Sequence, residues 1–418
     1  MKKVAVFLGD HFWSSTPYDG LNLYHELNKH IHTDLIVFTK DIRLNKKFEG
    51  WEKFHFDPEE FKVPNLRTVE HWDEVTEISG EYSLIICQAK VAPKTRCPFP
   101  IGEQTTSGVT PVLHAGLQNG DSFFDCPIAV WDIGGCDLLH NSVQFANYYF
   151  VKGPIWKEWL VKMGWPEKNV FVTGSPHYDY FFDSDKNVVG ACISEEEFLQ
   201  KYSLDKTKQK ILLMPTNPSS HKEQFDENLE KLHKIVDLCS ENDIELLVKT
   251  YPHDYVFAEA EKEYSGVYRR TYANKPQYQF IKDRFPSVKI IESQDHHAAL
   301  KYSDKIFNMA GSHVAWETFY TDSVSYAIGY KDKKYYKQVS VLKHLDYISF
   351  PDDLMNIHMD DLTDIVHKNL KTEKDKCNDW FLNEVSIPNI VNAVKQIVAT
   401  STPRPRRWAP HIWWRLRT

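Results

Sequence analysis

Val4-Ala5-Val6-Phe7-Leu8 is a five-residue apolar run that stops at Gly9-Asp10. A short, unbroken apolar run is the pattern of a strand covered on both faces, as strands of a parallel sheet are. From Asp19 to Lys29 the residues Leu21, Tyr24 and Leu27 recur at helical spacing, and Asp34-Leu35-Ile36-Val37-Phe38 is a second strand-like run. Two strands joined by a crossover helix are predicted to lie parallel. Ser83–Cys87, Thr110–His114, Ala146–Val151 and Val170–Gly174 continue the series, with a helix predicted over Ile155–Met163.

A polar stretch from Asp183 to Lys210, holding a short helix at Glu195–Tyr202, interrupts the alternation. The pattern then restarts. Strands are predicted at Ile211–Met214, Ile244–Lys249, Val288–Ile291, Lys305–Met309 and Ser325–Ile328, and helices at Glu223–Asn242, His296–Tyr302 and Val314–Tyr320. Alternation of this kind predicts an α/β fold of two Rossmann-like, doubly wound domains facing a central cleft. The boundary is expected near residue 190, giving domains of residues 1–190 and 191–400. The second is expected to end in a helical segment, Asn378–Thr400, and residues 401–418 form a separate tail.

Two domains suit a chain of 418 residues. A net charge of −8 with a pI near 6.2 argues against a nucleic-acid-binding surface spread over a whole domain. The seven cysteines form no CxxC pair, which argues against a zinc knuckle or a dithiol redox motif and fits reduced thiols. The N-terminal apolar run is too short for an export signal, and no run approaches a membrane span. The chain is therefore expected to be cytoplasmic. Gly134-Gly135 lacks the GxGxxG pattern and no Walker A sequence occurs, so neither a dinucleotide fingerprint nor a P-loop is present.

In parallel sheets ligands bind beyond the carboxyl ends of the strands, so polar residues there are the candidates. His114, before the small residues Ala115-Gly116, is placed to act as a general base on an acceptor hydroxyl. Lys249 and His253, in Lys249-Thr250-Tyr251-Pro252-His253, offer donors to a diphosphate. Asn308-Met309-Ala310-Gly311-Ser312-His313-Val314-Ala315-Trp316-Glu317 passes from a strand through a Gly-Ser turn into a helix, a ready anion site. Glu317 lies one turn in, where it could accept from ribose hydroxyls. Thr216 belongs to the polar loop Met214–His221 after the first strand of the second half. The neighbouring pair His296-His297 has no partner at metal spacing and reads as a surface or capping pair.

The order of these segments resembles the GT-B superfamily, and within it the CDP-glycerol glycerophosphotransferases that polymerise teichoic acids. The resemblance spans about residues 110–330 and rests on Leu113-His114-Ala115-Gly116, Thr173-Gly174-Ser175-Pro176-His177-Tyr178-Asp179, Met214-Pro215-Thr216, Lys249-Thr250-Tyr251-Pro252-His253 and Gly311-Ser312-His313 through Glu317. His177 stands where that family has arginine, and Gly311-Ser312 stands where it has Tyr-Ser-Ser. The resemblance implies a metal-independent transferase that needs no cofactor and takes a nucleotide-activated donor. The first domain would hold the acceptor and the second the donor nucleotide. His114 would be the catalytic base; Thr216, Lys249, His253, Gly311, Ser312, His313 and Glu317 would bind the donor. Glycosyl transfer to a hydroxyl of a glycan or lipid-linked acceptor, in surface polysaccharide synthesis, is the first expectation. Glycerol-phosphate transfer, nonhydrolysing UDP-N-acetylglucosamine 2-epimerisation, glycosyl transfer that modifies DNA and a non-catalytic nucleotide-binding module are its rivals.

The tail carries Arg404, Arg406, Arg407, Arg415 and Arg417 interleaved with Trp408, Trp413 and Trp414, and no acidic residue. Tryptophan favours the membrane interface and arginine pairs with anionic head groups, which predicts peripheral membrane contact ahead of nucleic acid as the partner. Co-sedimentation with anionic liposomes should be strong for the full chain and lost when it ends at Thr400. Equal partitioning of the two forms would remove the anchor, and tail-dependent binding of duplex DNA would replace it.

Overall fold

The computed structural model describes residues 3–8, 16–38, 61–69, 72–88, 125–131, 146–162, 166–182, 192–215, 222–249, 255–256, 263–264, 267–268, 275–292, 295–308, 317–327, 371, 375 and 378–400. The chain divides into two compact units, Met1–Gly190 with Asp379–Thr418, and Ala191–Asn378.

In the first unit, strands β1 (Val4–Leu8), β2 (Thr33–Phe38), β3 (Leu66–Val69), β4 (Leu84–Gln88), β5 (Ile128–Trp131), β6 (Tyr148–Val151) and β7 (Val170–Val172) form one sheet. Its order is β3-β2-β1-β4-β5-β6-β7 and every neighbouring pair is parallel. All five residues of β1 are buried, as an unbroken apolar run requires of a central parallel strand. Helices α1 (Thr16–Asn28), α2 (Trp72–Ile78) and α3 (Pro154–Lys162) serve this sheet. Strands β3 and β5 were not expected from the sequence, and the expected strand Thr110–His114 lies outside the described residues.

The second unit contains α4 (Glu195–Tyr202), β8 (Lys210–Met214), α5 (Lys222–Glu241) and β9 (Glu245–Val248). Two-residue strands follow: β10 (Tyr255–Val256) pairs antiparallel with β13 (Lys275–Pro276), and β11 (Glu263–Tyr264) with β12 (Val267–Tyr268). Then come α6 (Gln277–Arg284), β14 (Lys289–Ile290), α7 (His296–Tyr302), β15 (Lys305–Asn308) and β16 (Val324–Ala327). The main sheet runs β14-β9-β8-β15-β16, again parallel throughout. Helix α4 opens with a reciprocal capping box between Ser194 and Glu197 and closes on Ser203 in the left-handed conformation.

Helix α8 (Ile387–Thr400), the last among the described residues, corrects the expected domain limits, because it belongs to the first unit rather than to the second. Its buried residues Ile387, Ile390, Val391, Val394, Ile397 and Val398 recur at helical spacing. They join one core with Leu21, Leu23, Tyr24 and Leu27 of α1 and with Val4, Val6 and Leu8 of β1. Periodicity shows that such a stripe needs cover, and does not show which sheet supplies it.

Two glycines and one aspartate receive this returning chain. A Cβ on Gly153 would lie 1.7 Å from the Trp380 carbonyl oxygen, so only glycine lets these backbones meet there. Leu382 N–H donates to the Lys152 carbonyl at 2.9 Å, and the Phe381 ring packs 4.9 Å from that of Trp156. Gly174 has φ of +81° and would carry its Cβ 2.9 Å from Ser386 Cβ. Beside it, buried Asp179 accepts from Ser386 N–H (2.7 Å), Ser386 Oγ–H (2.9 Å) and Ile387 N–H (3.1 Å). The Ser386 carbonyl accepts from Ile390 N–H, so Ser386 is the N-cap, and Pro388 has no N–H to satisfy. Asp179 therefore caps α8 with a carboxyl group from a distant part of the chain, at the end where the helix dipole favours negative charge.

Burial, with the charge of Asp19 adding to it, pushes the Asp179 carboxyl up to about 7 against the pull of the Ser386 and Ile387 donors. Native Asp179 then binds a proton more tightly than the unfolded chain does, so its contribution to stability falls as pH rises from about 4 to about 7. Denaturant unfolding of Asp179→Asn should show a flatter pH dependence than the wild type across that window, and superimposable slopes would contradict this. Ser386→Ala should cost about 1 kcal/mol at neutral pH through the lost side-chain bond at the cap.

Candidate functional site

Every strand of the second sheet points the same way, so the loops that follow them emerge along one edge. The strand order reverses between β8 and β15, the position where doubly wound sheets bind ligands. Their register is direct, Phe307 beside Leu213 and Asn308 beside Met214, so the two chains leave the sheet side by side. The segment carrying Thr216 follows β8, and the segment carrying Gly311, Ser312 and His313 follows β15. These four residues lie outside the described residues, as do His114 and His253.

Lys249 and Glu317 are described. Lys249 directly follows β9, and its N–H extends the ladder to the Leu213 carbonyl at 3.0 Å. Its side chain is buried, and a buried ammonium is retained only where it meets compensating groups. Glu317 sits at the N-cap of a 3₁₀ turn, Thr318–Tyr320, and is 3% exposed. Its Oε2 lies 2.8 Å from His296 Nε2.

His296 was not expected here. Its side chain is only 17% exposed and the adjacent His297 is buried, which corrects the reading of the pair as a surface or capping pair. The reason is topological. His296 is the first residue of α7, the helix that precedes β15, while Glu317 follows β15. In a parallel β-α-β unit the N-terminus of the crossover helix and the exit of the next strand share the carboxyl edge.

The elements around this pair are tied in place. Asp295, immediately before α7, is buried and accepts from Lys201 Nζ at 2.6 Å and from the Tyr202 hydroxyl. Glu292 N–H reaches the same hydroxyl at 3.1 Å, and Lys201 also meets Glu292 at 3.1 Å. Burial draws the Lys201 ammonium down, yet Asp295 and Glu292 outweigh it and hold the group above an ordinary lysine. Burial likewise raises the Tyr202 hydroxyl, with the Asp295 hydrogen bond adding to it, so it stays protonated as a donor. At the far end of α7, Ser323 Oγ–H donates to the Leu300 carbonyl at 2.5 Å and also approaches that of Ser303. The helix bearing His296 and the segment bearing Glu317 are thus joined at both ends.

The first unit holds a separate buried polar cluster. Asp19 of α1, fully buried, accepts from the Tyr180 hydroxyl and lies 3.2 Å from His177 Nδ1. These residues share the turn Pro176–Phe181 with Asp179, so the Thr173–Asp179 motif joins α1, the end of β7 and α8. Burial pushes the thiols of Cys87, Cys126, Cys192 and Cys239 up to about 12, which leaves them protonated and unsuited to nucleophilic work at neutral pH. Among the described residues no helix is long and apolar enough to cross a membrane.

No protein-family model and no curated protein sequence matches the chain. Solved structures do. UDP-GlcNAc 2-epimerase from Neisseria meningitidis, bound to UDP-GlcNAc, is similar with a TM-score of 0.55 at 10% identity, covering 96% of this chain and 100% of its own. The Methanocaldococcus jannaschii UDP-GlcNAc 2-epimerase, in complex with UDP-GlcNAc and UDP, gives 0.51 at 15% identity over 94% of this chain and 99% of its own. The wall teichoic acid polymerase TagF gives 0.52 at 13% identity over 95% of this chain and 89% of its own. With two parallel sheets and flanking helices, these likenesses establish an α/β fold of two Rossmann-like domains, of the GT-B type.

Removing Asp295 should loosen α4 and α7 while leaving the first sheet intact. Asp295→Ala should cost about 1–3 kcal/mol for the donors it strands. Hydrogen exchange should quicken in Glu195–Tyr202 and His296–Tyr302 and stay unchanged in β1 to β7. Equal acceleration in both units would contradict the local role.

Proposed function

We propose that the chain is a transferase that moves a sugar from a nucleoside-diphosphate donor to a hydroxyl acceptor without a metal. The observation that carries the reading is buried Glu317, paired with His296 at the carboxyl edge of the second sheet, beside the reversal between β8 and β15. A buried carboxylate at that edge is the chemistry a ribose diol requires, an acceptor pair with little competing water. Glu317 would bind the ribose. Lys249, His253, Gly311, Ser312 and His313 would hold the diphosphate, together with Thr216 on the segment after β8.

In the reaction, His114 takes the proton of the acceptor hydroxyl as its oxygen bonds to the anomeric carbon. The bond from that carbon to the diphosphate oxygen breaks, and the negative charge passes to the departing nucleoside diphosphate. Cationic side chains and backbone N–H groups stabilise that charge, the task a divalent metal performs in other transferases. Such an enzyme would work in the cytoplasm on a glycan or lipid-linked acceptor, in the synthesis of surface polysaccharide.

Nucleoside diphosphates and their sugar conjugates should raise the melting temperature of the native chain by mass action. Glu317→Ala should weaken the best of them by about 1–3 kcal/mol in calorimetry. His114→Ala should bind it normally while transfer falls about 10²–10⁴-fold. Unchanged affinity in Glu317→Ala would move the donor site elsewhere. Full turnover in His114→Ala would remove the base. A donor sugar epimerised without acceptor, or glycerol phosphate transferred from CDP-glycerol, would replace glycosyl transfer with that chemistry.

A further inference from the structure

The His296–Glu317 contact has features that a simple helix cap lacks. Residue 296 is the first of α7, yet its ring serves a side chain across the β15 connection, 21 residues later. Glu317 is buried, and a buried carboxylate is an acceptor, so Nε2 must carry the proton. The other ring nitrogen, Nδ1, is buried and without a hydrogen-bond partner among the described residues. Glu317 is thus the one hydrogen-bonding anchor of the ring seen there. The ring's backbone is fixed independently, by Asp295 before it and by buried His297, Ala298, Ala299 and Leu300 after it. A donor on a rigid support, aimed at a carboxylate, sets which way that carboxylate faces.

We propose that His296 is a positioning residue for donor recognition: by donating Nε2–H to Glu317 it holds the carboxylate toward the ribose hydroxyls, and so sets a preference for ribonucleotide over 2′-deoxyribonucleotide donors. The inference rests on the reading of Glu317 as the ribose acceptor. Its content is that discrimination at the sugar requires His296 as well as Glu317, although His296 need not touch the nucleotide.

The test measures, by calorimetry on the full chain, the affinities for a ribonucleoside diphosphate and its 2′-deoxy analogue. The base is chosen as the tightest binder among UDP, GDP, CDP and ADP. The wild type should favour the ribonucleotide by about tenfold or more, the effect of a hydrogen bond to a charged acceptor. Glu317→Ala and His296→Ala should each bring the ratio to within about threefold of unity. His296→Gln, whose amide nitrogen can reach the Nε2 position, should restore most of the preference, whereas His296→Asn, which mimics Nδ1, should not. Melting temperature is followed in parallel, because a purely structural role would lower it and leave the ratio intact. If Glu317→Ala loses the preference and both His296→Ala and His296→Asn keep it, the inference fails and the ribose reading stands. If the wild type shows no preference, or binds none of the four nucleotides, the ribose reading and this inference fail together.

Discussion

Parallel pairing throughout both sheets is the constraint from which the rest of the structure follows. A parallel strand can be reached only by a crossover, so each strand is followed by a return over the face of the sheet. All strand exits and all crossover-helix starts then share one edge. In the second unit this brings the exit of β8, the exit of β15, Lys249 after β9 and His296 at the start of α7 to the same side. The strands over Ile211–Met214 and Lys305–Asn308 are buried in the sheet, yet they determine where chemistry can be assembled.

A second constraint concerns the end of the described chain. Helix α8 carries a continuous apolar stripe, and that stripe is satisfied in the core built around β1 and α1. The Asp179 carboxyl, Gly174 and Gly153 make this docking specific: one supplies acceptors for the helix start, and the other two remove side chains from the path of the backbone. The Thr173–Asp179 segment, which in sequence is part of a transferase-like motif series, is therefore a joint of the fold. Its Asp19–His177–Tyr180 neighbour extends that joint to α1. Gly174 and Asp179 thus secure α8, and His177 and Tyr180 secure α1.

Much of the fold was legible in the sequence because buried parallel strands announce themselves. Val4–Leu8 and Leu35–Phe38 are unbroken apolar runs, and His296–Tyr302 was delimited as a helix over the residues that form it. β3 was not legible, since Leu66-Arg67-Thr68-Val69 is an edge strand, largely accessible, with only Val69 buried. β5, Ile128-Ala129-Val130-Trp131, is fully buried and is an unbroken apolar run of the same length as Ile211–Met214, so the same pattern marks it. The placement of α8 depended on a partner face that no local pattern names. Glu317 stands out in the sequence as an acidic residue shortly after a strand and a Gly-Ser pair, and its burial is found in the structure. Its pairing with His296 is not legible there, because the contact depends on a crossover that brings residues 21 apart to one edge.

The proposed function requires a nucleotide to bind at the carboxyl edge of the second sheet, at the reversal between β8 and β15. A crystal structure of the chain with its tightest-binding nucleoside diphosphate tests this most directly. Ribose density should lie within hydrogen-bonding distance of Glu317 and diphosphate density at the segment Gly311-Ser312-His313. Nucleotide density at the first sheet alone, or remote from Glu317, would contradict it.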